Sequence, residues 1–537
     1  MGPAELAVLI ARLTGVAHEV GEVLRRGAFS PNIKERADCS AALFTADGTL
    51  LVQAEHIPVH LGSMPASVAA AIAALGPTVA PGEEVLLNDP FAGGTHLNDV
   101  TLVTPVFAGE PPTLVGWVAN RAHHADLGGA APGSLPADAT EIQQEGLRIP
   151  PVRLTPEVAA IVAASSRTPV ERASDLDAQV GANRLGVGRF RAVIPELDRL
   201  VAARRAGDGG AAAHPLDEVV AYGERRMRAA LAAVPDGTWR FEDVLDSFGP
   251  EPHQQEPTTI RLAITVAGDE VTFDFTGTDA QRRGNVNAVE AVTVSAVAWA
   301  LRSALDPTLP ANGGALRPVR VVAPPGSVVA ARPPAAVGAG NVEVSQRVAD
   351  VCLGALAQAL PDRVPAASQG TMNNLLLGGD GWVSYETVAG GQGGRPPRPG
   401  SGGAPVPGMS GVHTAMTNTR NTPTEAFERA FPVRVLRYAL RRGSGGAGAA
   451  PGGDGIERDL LVLEDVTLSL ITERRTSRPW GLAGGSDGAV GEGWLLPGGD
   501  EARAEPLPDK CTIRVAAGDV IRMRTPGGGG WGRPPAG

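Results

Sequence analysis

The first 75 residues alternate between helical and strand-like patterns of hydrophobic positions. Apolar side chains recur at helical spacing from the start of the chain to about Gly27, which predicts an amphipathic helix. Two short apolar runs, residues 41–44 and 50–52, flank an Asp-Gly turn and predict a β-hairpin. An alanine-rich stretch, residues 64–75, precedes a Gly-Pro pair and predicts a second helix.

Three predicted strands follow, and polar loops leave their ends. Residues 85–87, 100–107 and 114–119 are apolar runs of strand length. The loop NDPFAGGTHLND (residues 88–99) joins the first two strands, and the loop RAHHADLGGAAPG (residues 121–133) follows the third. Both loops are rich in His, Asp and Gly. Loops held at strand ends commonly carry binding and catalytic residues, so a functional site is expected here.

The remainder of the chain changes pattern at two points. Residues 154–235 are mostly helical in pattern, and short alternating strands follow up to about residue 275. A glycine- and proline-rich tract, residues 390–408, predicts a mobile loop. We therefore expect a multi-domain, mixed α/β (α+β) protein with its metal site on loops at the strand ends of the N-terminal domain. The predicted domains are an N-terminal domain (1–235), a middle α/β domain (236–390) and a C-terminal glycine-rich β/loop domain (391–537).

Composition and charge exclude several classes of function. The net charge is −11 and no basic cluster exceeds an arginine pair, whereas phosphate binding needs concentrated positive charge, so nucleic acid is not an expected partner. The longest apolar run, residues 292–301, is too short to span a membrane. Three scattered cysteines fit neither a disulfide scaffold nor a cysteine-based zinc site, so a cytoplasmic location is expected.

The two His/Asp loops contain candidate metal ligands. His96 and Asp99 form a His-x-x-Asp pair that one tight turn can direct inward, and His123 can supply a third ligand from the next strand. Imidazole and carboxylate groups hold Zn, Mn or Fe while leaving positions open for water or substrate. Asp126 follows His123 at the same spacing of three. The alternative is that each histidine only caps a turn or packs against an apolar wall.

Other polar residues near these loops have weaker assignments. Asp38 lies just before a predicted strand and can be a fourth ligand or a general base. His60 lies in an extended, proline-containing stretch, where it holds substrate or serves structure. Neither of the two lysines follows a glycine, so the chain has no phosphate-binding loop of the Gly-x4-Gly-Lys type. If ATP takes part, we expect it to bind elsewhere.

The sequence resembles the hydantoinase B/5-oxoprolinase family along nearly its whole length. The matching segments are SPNIKER (30–36) with Asp38 and Ser40, IPVHLGSM (57–64), NDPFAGGTHLNDVTLVTPVF (88–107), AHHADLGGAAPGS (122–134), QEGLRIPPV (144–152), DFTGTDAQRRGNVN (274–287), MTNTRNTPTEAFE (416–428), SGGAG (444–448) and TPGGGGWG (525–532). One departure follows SGGAG, where the family typically has an arginine and this chain has Ala449, Ala450 and Pro451.

The resemblance implies a partner and a reaction. Members of the family work with a hydantoinase A-type ATPase of the actin/sugar-kinase class, as a second subunit or a fused half, so a hetero-oligomer is expected. The pair opens hydantoins, 5-oxoproline or related lactams, with ATP and Mg²⁺ on the ATPase. The family is also similar to the alpha subunit of acetone carboxylase, whose manganese ligands fall here on His96, Asp99 and His123. His124 is the alternative to His123.

The resemblance suggests that the partner phosphorylates the carbonyl oxygen and that water then attacks the ring carbon. A divalent metal can activate that water. By hypothesis, Asp38 or Asp126 orients or deprotonates the water, and His124 or His60 faces the substrate. The backbone N–H groups of the glycine pairs bind the oxyanion or phosphate, because glycine lets the backbone approach closely. These pairs are Gly93–Gly94 and Gly128–Gly129.

Three other functions remain open from the sequence. An ATP-dependent carboxylase subunit resembling acetone carboxylase would use the same metal and require bicarbonate. A non-catalytic scaffold would bind no metal and tolerate changes at His96 and Asp99. A metal-only amidohydrolase would be active without ATP or a partner.

Overall fold

The structure is a computed structural model that describes residues 1–55, 57–208, 214–397, 400 and 402–534. The α-helices of these residues are α1 (Pro3–Gly27), α2 (Pro31–Lys34), α3 (Ser63–Leu75), α4 (Pro156–Ser165), α5 (Pro169–Arg191), α6 (Ile194–Asp208), α7 (Pro215–Leu231), α8 (Glu290–Leu305), α9 (Ser345–Ala359) and α10 (Thr424–Ala430). The β-strands are β1 (Cys39–Thr45), β2 (Leu50–Glu55), β3 (Val85–Leu87), β4 (Asp99–Ala108), β5 (Thr113–His123), β6 (Val152–Arg153), β7 (Gly237–Leu245), β8 (Thr258–Ala267), β9 (Glu270–Asp274), β10 (Val319–Val322), β11 (Asn374–Gly379), β12 (Trp382–Thr387), β13 (Val433–Arg441), β14 (Gly455–Val462), β15 (Val466–Ile471), β16 (Glu492–Leu496), β17 (Glu505–Leu507), β18 (Lys510–Val515) and β19 (Val520–Arg524).

The strands form four separate sheets. The first sheet has the order β2-β1-β5-β4-β3-β6, and the second has the order β10-β9-β8-β7. The third sheet is β12-β11-β15-β18, and the fourth is β13-β14-β19-β16-β17. Only the β9–β10 pair is parallel among the described strands. Separate, largely antiparallel sheets with helices packed beside them confirm the expected α+β, multi-domain class.

The first sheet is covered on both faces, which fixes the position of the site. Helix α1 places Leu13, Val20 and Leu24 on one stripe, where they are fully buried. This stripe and α5 cover one face of the sheet. Met64 and Val68 of α3 cover the other face. Because both faces are dry, polar residues concentrate where the strands end.

The predicted helices, hairpin and short strand of the N-terminal region are confirmed. The one notable difference is that β5 continues to His123 rather than ending at residue 119, because it pairs with both β1 and β4. Asp99 likewise opens β4. His123 and Asp99 are therefore terminal strand residues, and only His96 lies in a loop. A site carried wholly on loops is not confirmed.

The largest hydrophobic cluster connects distant parts of the chain. It joins the inner faces of α8, α9 and the second sheet, and it extends from Ile57 to Ile471. Tyr385 and Met416 belong to the same cluster. This core crosses both predicted domain boundaries, near residues 235 and 390, which remain predictions.

The glycine-rich tracts pack against one another. Gly391 N–H donates to the Pro526 carbonyl at 3.0 Å, and Gly394 N–H donates to the Gly529 carbonyl at 2.9 Å. A Cβ atom on Gly391 would lie only 2.0 Å from the Gly453 carbonyl oxygen, so this packing requires glycine. The prediction of a mobile loop is wrong for residues 390–395. Residues 398, 399 and 401 of that tract lie outside the described residues.

One segment, Pro58–Thr78, is long and apolar enough to cross a membrane by length and composition alone. Half of its most apolar stretch is buried within the fold, where α3 packs against the first sheet. A buried core helix passes the same test, so this segment is weak support for a membrane span.

Candidate metal centre

His96, Asp99 and His123 converge at the end of the first sheet. Asp99 and His123 are paired in register on β4 and β5, so their side chains leave the same face. His96 Nε2 lies 3.3 Å from Asp99 Oδ1, and His123 Nδ1 lies 3.4 Å from the same oxygen. One ligand atom from each of the three residues falls within 4.8 Å of the others. The three residues singled out from the sequence are thus brought together.

The chemistry of these side chains fits a divalent cation. All three side chains are buried, with at most 2% of each residue exposed. Among the described residues, neither ring nitrogen of His96 has a hydrogen-bond partner, and neither does Nε2 of His123. Buried polar atoms without partners are costly, and metal coordination would satisfy them. Two imidazoles and one carboxylate are also a common ligand set that leaves coordination positions open.

Asp99 is oriented by neighbours on its other oxygen. Thr95 Oγ1 donates to Asp99 Oδ2 at 2.6 Å, and Asn341 Nδ2 donates to it at 3.4 Å. His60 Nε2 lies 3.4 Å from Oδ2, while its Nδ1 is 2.9 Å from Ser40 Oγ. Burial alone would raise the pKa of Asp99, but the neighbouring His96 and His60 hold that pKa well below its ordinary value. The carboxylate is therefore ionised and fixed in orientation.

His123 is held by an aromatic side chain from the third sheet. The Tyr385 ring stacks on the His123 ring with centroids 4.7 Å apart and an interplanar angle of 20°. The Arg36 guanidinium lies 4.7 Å from the centroid of the Tyr385 ring. Burial lowers the pKa of His123 below its ordinary value of 6.5. A neutral imidazole in a fixed orientation is the form that binds a metal.

A small cavity of about 20 Å³ opens beside these residues. Asp38 and His60 line it together with Asp99 and His123. A cavity of this size holds about one water molecule. The structure thus brings two further predicted residues, Asp38 and His60, to the site. A space of this size admits no ring-sized organic molecule.

His124 is not brought to the site. It follows His123 and leaves the opposite side of the chain, where its Nε2 lies 2.9 Å from Gln179 Oε1 of α5. Burial lowers the pKa of His124 to about 4, and the nearby Arg172 contributes to this shift. Of the two alternatives, the geometry favours His123 as the ligand, and His124 is a buried link between the sheet and α5.

Asp126 lies in a separate polar cluster. Its Oδ1 accepts from Arg167 Nη1 at 2.9 Å and from Gly133 N–H at 2.9 Å. Its Oδ2 accepts from Arg167 N–H at 2.8 Å and from Ser166 Oγ at 3.1 Å. The carboxylate is saturated with donors and does not line the small cavity. It orders the loop instead of facing a water there.

The two glycine pairs are also placed away from the cavity lining. Gly94 N–H donates to the Asp89 carbonyl at 2.8 Å, and Gly128 N–H donates to Asp126 Oδ2 at 3.3 Å. Gly93, Gly128 and Gly129 all have positive φ angles, where a side chain would be strained. A Cβ on Gly93 would lie 2.4 Å from the Ala66 carbonyl oxygen. These glycines are required for loop geometry, and the N–H groups of Gly94 and Gly128 are already used.

Several residues of the site were missed from the sequence. Tyr385 and Asn341 are more than 240 positions from the ligands that they contact, and local patterns carry no signal for such contacts. The segment Gly340–Val344, which carries Asn341, is a π-helical turn. Such turns are rare and frequently occur at functional sites.

The fold and the site together define a multi-sheet α+β protein with a candidate two-histidine, one-aspartate metal centre. The sequence model of the hydantoinase B/oxoprolinase family matches residues 2–534, and the chain belongs to this family. The resemblance carried by the motifs is thereby confirmed.

Three curated relatives illustrate the breadth of the family. An uncharacterised protein of Methanocaldococcus jannaschii is 38% identical over 99% of this chain and 91% of its own length. The 5-oxoprolinase 1 of Arabidopsis thaliana is 37% identical over 98% of this chain but only 42% of its own length. A protein of a Pseudomonas strain, named as a putative B-type subunit of a D-/L-hydantoinase, is 30% identical over 99% of this chain and 90% of its own length.

Two solved structures share the fold. The ATP-dependent caprolactamase of Pseudomonas jessenii superimposes with a TM-score of 0.87 at 26% identity, covering 100% of this chain and 92% of that one. Acetone carboxylase superimposes with a TM-score of 0.86 at 20% identity, covering 99% of this chain and 76% of that one. At that identity the likeness to acetone carboxylase shows the fold alone.

Proposed function

We propose that this chain is the metal-bearing subunit of an ATP-dependent hydrolase that opens cyclic amides such as hydantoins, 5-oxoproline or related lactams. The observation that carries the proposal is the convergence of His96, Asp99 and His123, with buried ring nitrogens for which no described residue is a hydrogen-bond partner. Membership of the hydantoinase B/oxoprolinase family, with a caprolactamase as structural neighbour, supports the reaction class.

The proposed partner is a hydantoinase A-type ATPase, which would hold ATP and Mg²⁺ in a cytoplasmic hetero-oligomer. Two observations support it. The chain spans 42% of a plant 5-oxoprolinase, which leaves room for a second half in that protein, yet it spans 90% of a relative named as a hydantoinase subunit. The chain itself lacks a Gly-x4-Gly-Lys phosphate-binding loop.

The chemistry requires water to attack the carbonyl carbon of a resonance-stabilised amide. A divalent cation (Zn, Mn or Fe) held by His96, Asp99 and His123 would act as a Lewis acid that makes water reactive at neutral pH. Asp38 lines the small cavity, where its carboxylate can accept a proton from the single water that the space admits. His60 lines the same cavity, and we assign it the position that faces the substrate.

Metal analysis of purified variants tests this assignment. We expect His96→Ala and His123→Ala to lose bound metal, while His124→Gln, a change at the neighbouring buried histidine, retains it. The unfolding temperature of each variant, measured after metal removal, shows that a loss of metal is not a loss of fold. Wild-type metal content in His96→Ala would refute the ligand assignment.

A further inference from the structure

A large cleft adjoins the small cavity of the metal centre. The cleft has a volume of about 860 Å³, within the range of small-molecule sites. Its walls include Trp299 and Ser303 of α8, together with Arg363 and Arg395. A cavity of about 920 Å³ also lies between α1 and α7, but it shares no lining residue with the metal centre. Proximity to the chemistry therefore favours the 860 Å³ cleft.

Only a thin wall separates this cleft from the small cavity. Thr417 lines both spaces. Its neighbour Asn418 faces the cleft, whereas Thr419 lines the cavity. Pro58 likewise lines the cleft, while Val59 beside it lines the cavity. The division between the two spaces is therefore about one residue thick at two places.

The wall carries local strain and unpaired polar atoms on the cleft side. Ala415 has a φ of 54°, a left-handed conformation that costs free energy in any residue except glycine. Thr414 is 7% exposed, and its Oγ1 has no hydrogen-bond partner in the described part of the chain. His413 Nε2 is also buried, and no described residue is its partner. Strain and unpaired polar atoms of this kind occur where a ligand is bound.

The charge of the cleft indicates which ligand it accepts. Among the described residues, neither Arg363 nor Arg395 forms an ion pair. Asp362 is the one carboxylate among the described residues that line the cleft. Two guanidinium groups against one carboxylate leave a net positive charge, and guanidinium binds carboxylates in a directed, bidentate way.

We propose that this cleft is the chamber in which the cyclic amide binds before it reaches the metal centre. The ring lies against the Thr417 wall, and a carboxylate on the ring binds to Arg363 and Arg395. His413 and Thr414 supply hydrogen bonds to the ring amide. This inference rests on the proposed function, because it assumes that a cyclic amide is the substrate.

Titration calorimetry with the full chain tests the chamber without requiring turnover. The probes are 5-oxoproline and 2-pyrrolidinone, which have the same ring with and without a carboxylate. We expect 5-oxoproline to bind more tightly, and Arg363→Gln or Arg395→Gln to weaken it about tenfold while leaving 2-pyrrolidinone unaffected. Arg320→Gln, at an exposed arginine on β10 outside the cleft, is the matched control.

Unchanged affinity for 5-oxoproline in both cleft variants would overturn the proposal. The metal centre would still stand if those variants keep wild-type metal content. Conversely, loss of the metal assignment would leave the measured affinities of the cleft intact, so the two failures are distinguishable.

The visible absorption of a Co²⁺-substituted chain tests whether the cleft leads to the metal centre. We expect 5-oxoproline to shift this spectrum in the wild type. Thr417→Leu enlarges the side chain in the shared wall, so 5-oxoproline at a saturating concentration should no longer shift the spectrum. Thr417→Val, which has nearly the same volume as threonine, should keep the shift. A wild-type spectrum that does not respond to bound 5-oxoproline would disprove the connection.

Discussion

Tyr385 offers a direct test of how the metal centre is held in shape. Its ring stacks on His123 at 4.7 Å, and its hydroxyl donates to Asn374 Oδ1 at 2.8 Å. The Arg36 guanidinium lies over the Tyr385 ring, and its Nη1 donates to the backbone carbonyl oxygen of Tyr385 at 2.6 Å. The stack on His123 orients that imidazole ring, whereas the hydrogen bond to Asn374 fixes the tyrosine side chain itself.

Two substitutions at Tyr385 separate the contributions. Tyr385→Phe keeps the stack but leaves Asn374 Oδ1 without its donor, so stability should fall by about 1–3 kcal/mol with little change in metal affinity. Tyr385→Leu keeps an apolar side chain but removes the stack, which is worth about 0.5–1.5 kcal/mol. Because residues that support a metal ligand typically change affinity about 10- to 100-fold, we expect a loss of about tenfold.

Competition between the protein and a chelator of known affinity measures the metal affinity, and thermal unfolding of the metal-free variants measures stability. Tyr222→Leu on α7 is the matched control, since Tyr222 does not line the small cavity. Equal metal affinity in Tyr385→Leu and the wild type would refute a positioning role. Equal losses of affinity in the Phe and Leu variants would assign the effect to the hydroxyl instead of the stack.

Three further predictions concern the surroundings of the site. Burial lowers the pKa of His124 to about 4, so the neutral ring stabilises the fold above pH 6.5 and that contribution, roughly 3 kcal/mol, is lost as the pH falls from 6.5 towards 4. His124→Gln should flatten this decline in unfolding temperature, and an unchanged pH profile would contradict it. Asp126→Ala leaves several donors in its loop unpaired and should lower stability by about 3 kcal/mol while retaining bound metal, as metal analysis of the folded protein would show. Gly528→Ala would place a Cβ 2.1 Å from the Gln392 carbonyl oxygen and should destabilise the protein, whereas Gly188→Ala, in open space on α5, should stabilise it by up to about 1 kcal/mol in thermal unfolding.

The convergence of the three candidate ligands was predictable because their signal in the sequence is local. The spacing of His96 and Asp99 places both residues at one strand end, and the hydrophobic runs locate His123 at the end of the neighbouring strand. Antiparallel pairing of β4 and β5 then brings the strand ends together. The alternation of side chains along a strand also explains why His124, one position further, faces α5 instead.

The residues that support the candidate ligands were not predictable, because their contacts join distant parts of the chain. Tyr385 and Asn341 contact the ligands through the packing of separate regions, and no periodicity in the sequence encodes that packing. The glycine tracts show the same limit. Gly391 and Gly394 lack side chains to form a pattern, yet they are buried because other glycine segments approach them closely. Composition alone predicts flexibility in such tracts.

The π-helical turn Gly340–Val344 connects the contacts that hold Asp99 with those that hold Tyr385. Asn341 on the turn donates to Asp99 Oδ2, which fixes the carboxylate ligand. Two positions later, Glu343 Oε1 accepts from Asn374 Nδ2 at 2.8 Å, and Asn374 in turn accepts from the Tyr385 hydroxyl. One turn of the chain thus acts on Asp99 directly and on His123 through Tyr385.

The residues that support the candidate ligands lie in a dry part of the molecule. Glu343 is fully buried, and burial raises its pKa to about 8, with a contribution from the nearby Glu473. In such a dry environment its hydrogen bond with Asn374 is electrostatically stronger than it would be in water. Asp99 and His123 come from the first sheet and His96 from the loop before it. The orientation of Asp99 and His123 depends on Asn341 and Tyr385, which lie far along the chain. Ala415, with its strained backbone, is among the described residues that line the cleft and is not among those that line the small cavity, so it lies on the other side of the Thr417 wall from the candidate ligands. A fixed set of candidate ligands beside a separate wall is the arrangement that the proposed function needs, because such a site would have to hold a cation and exchange a substrate.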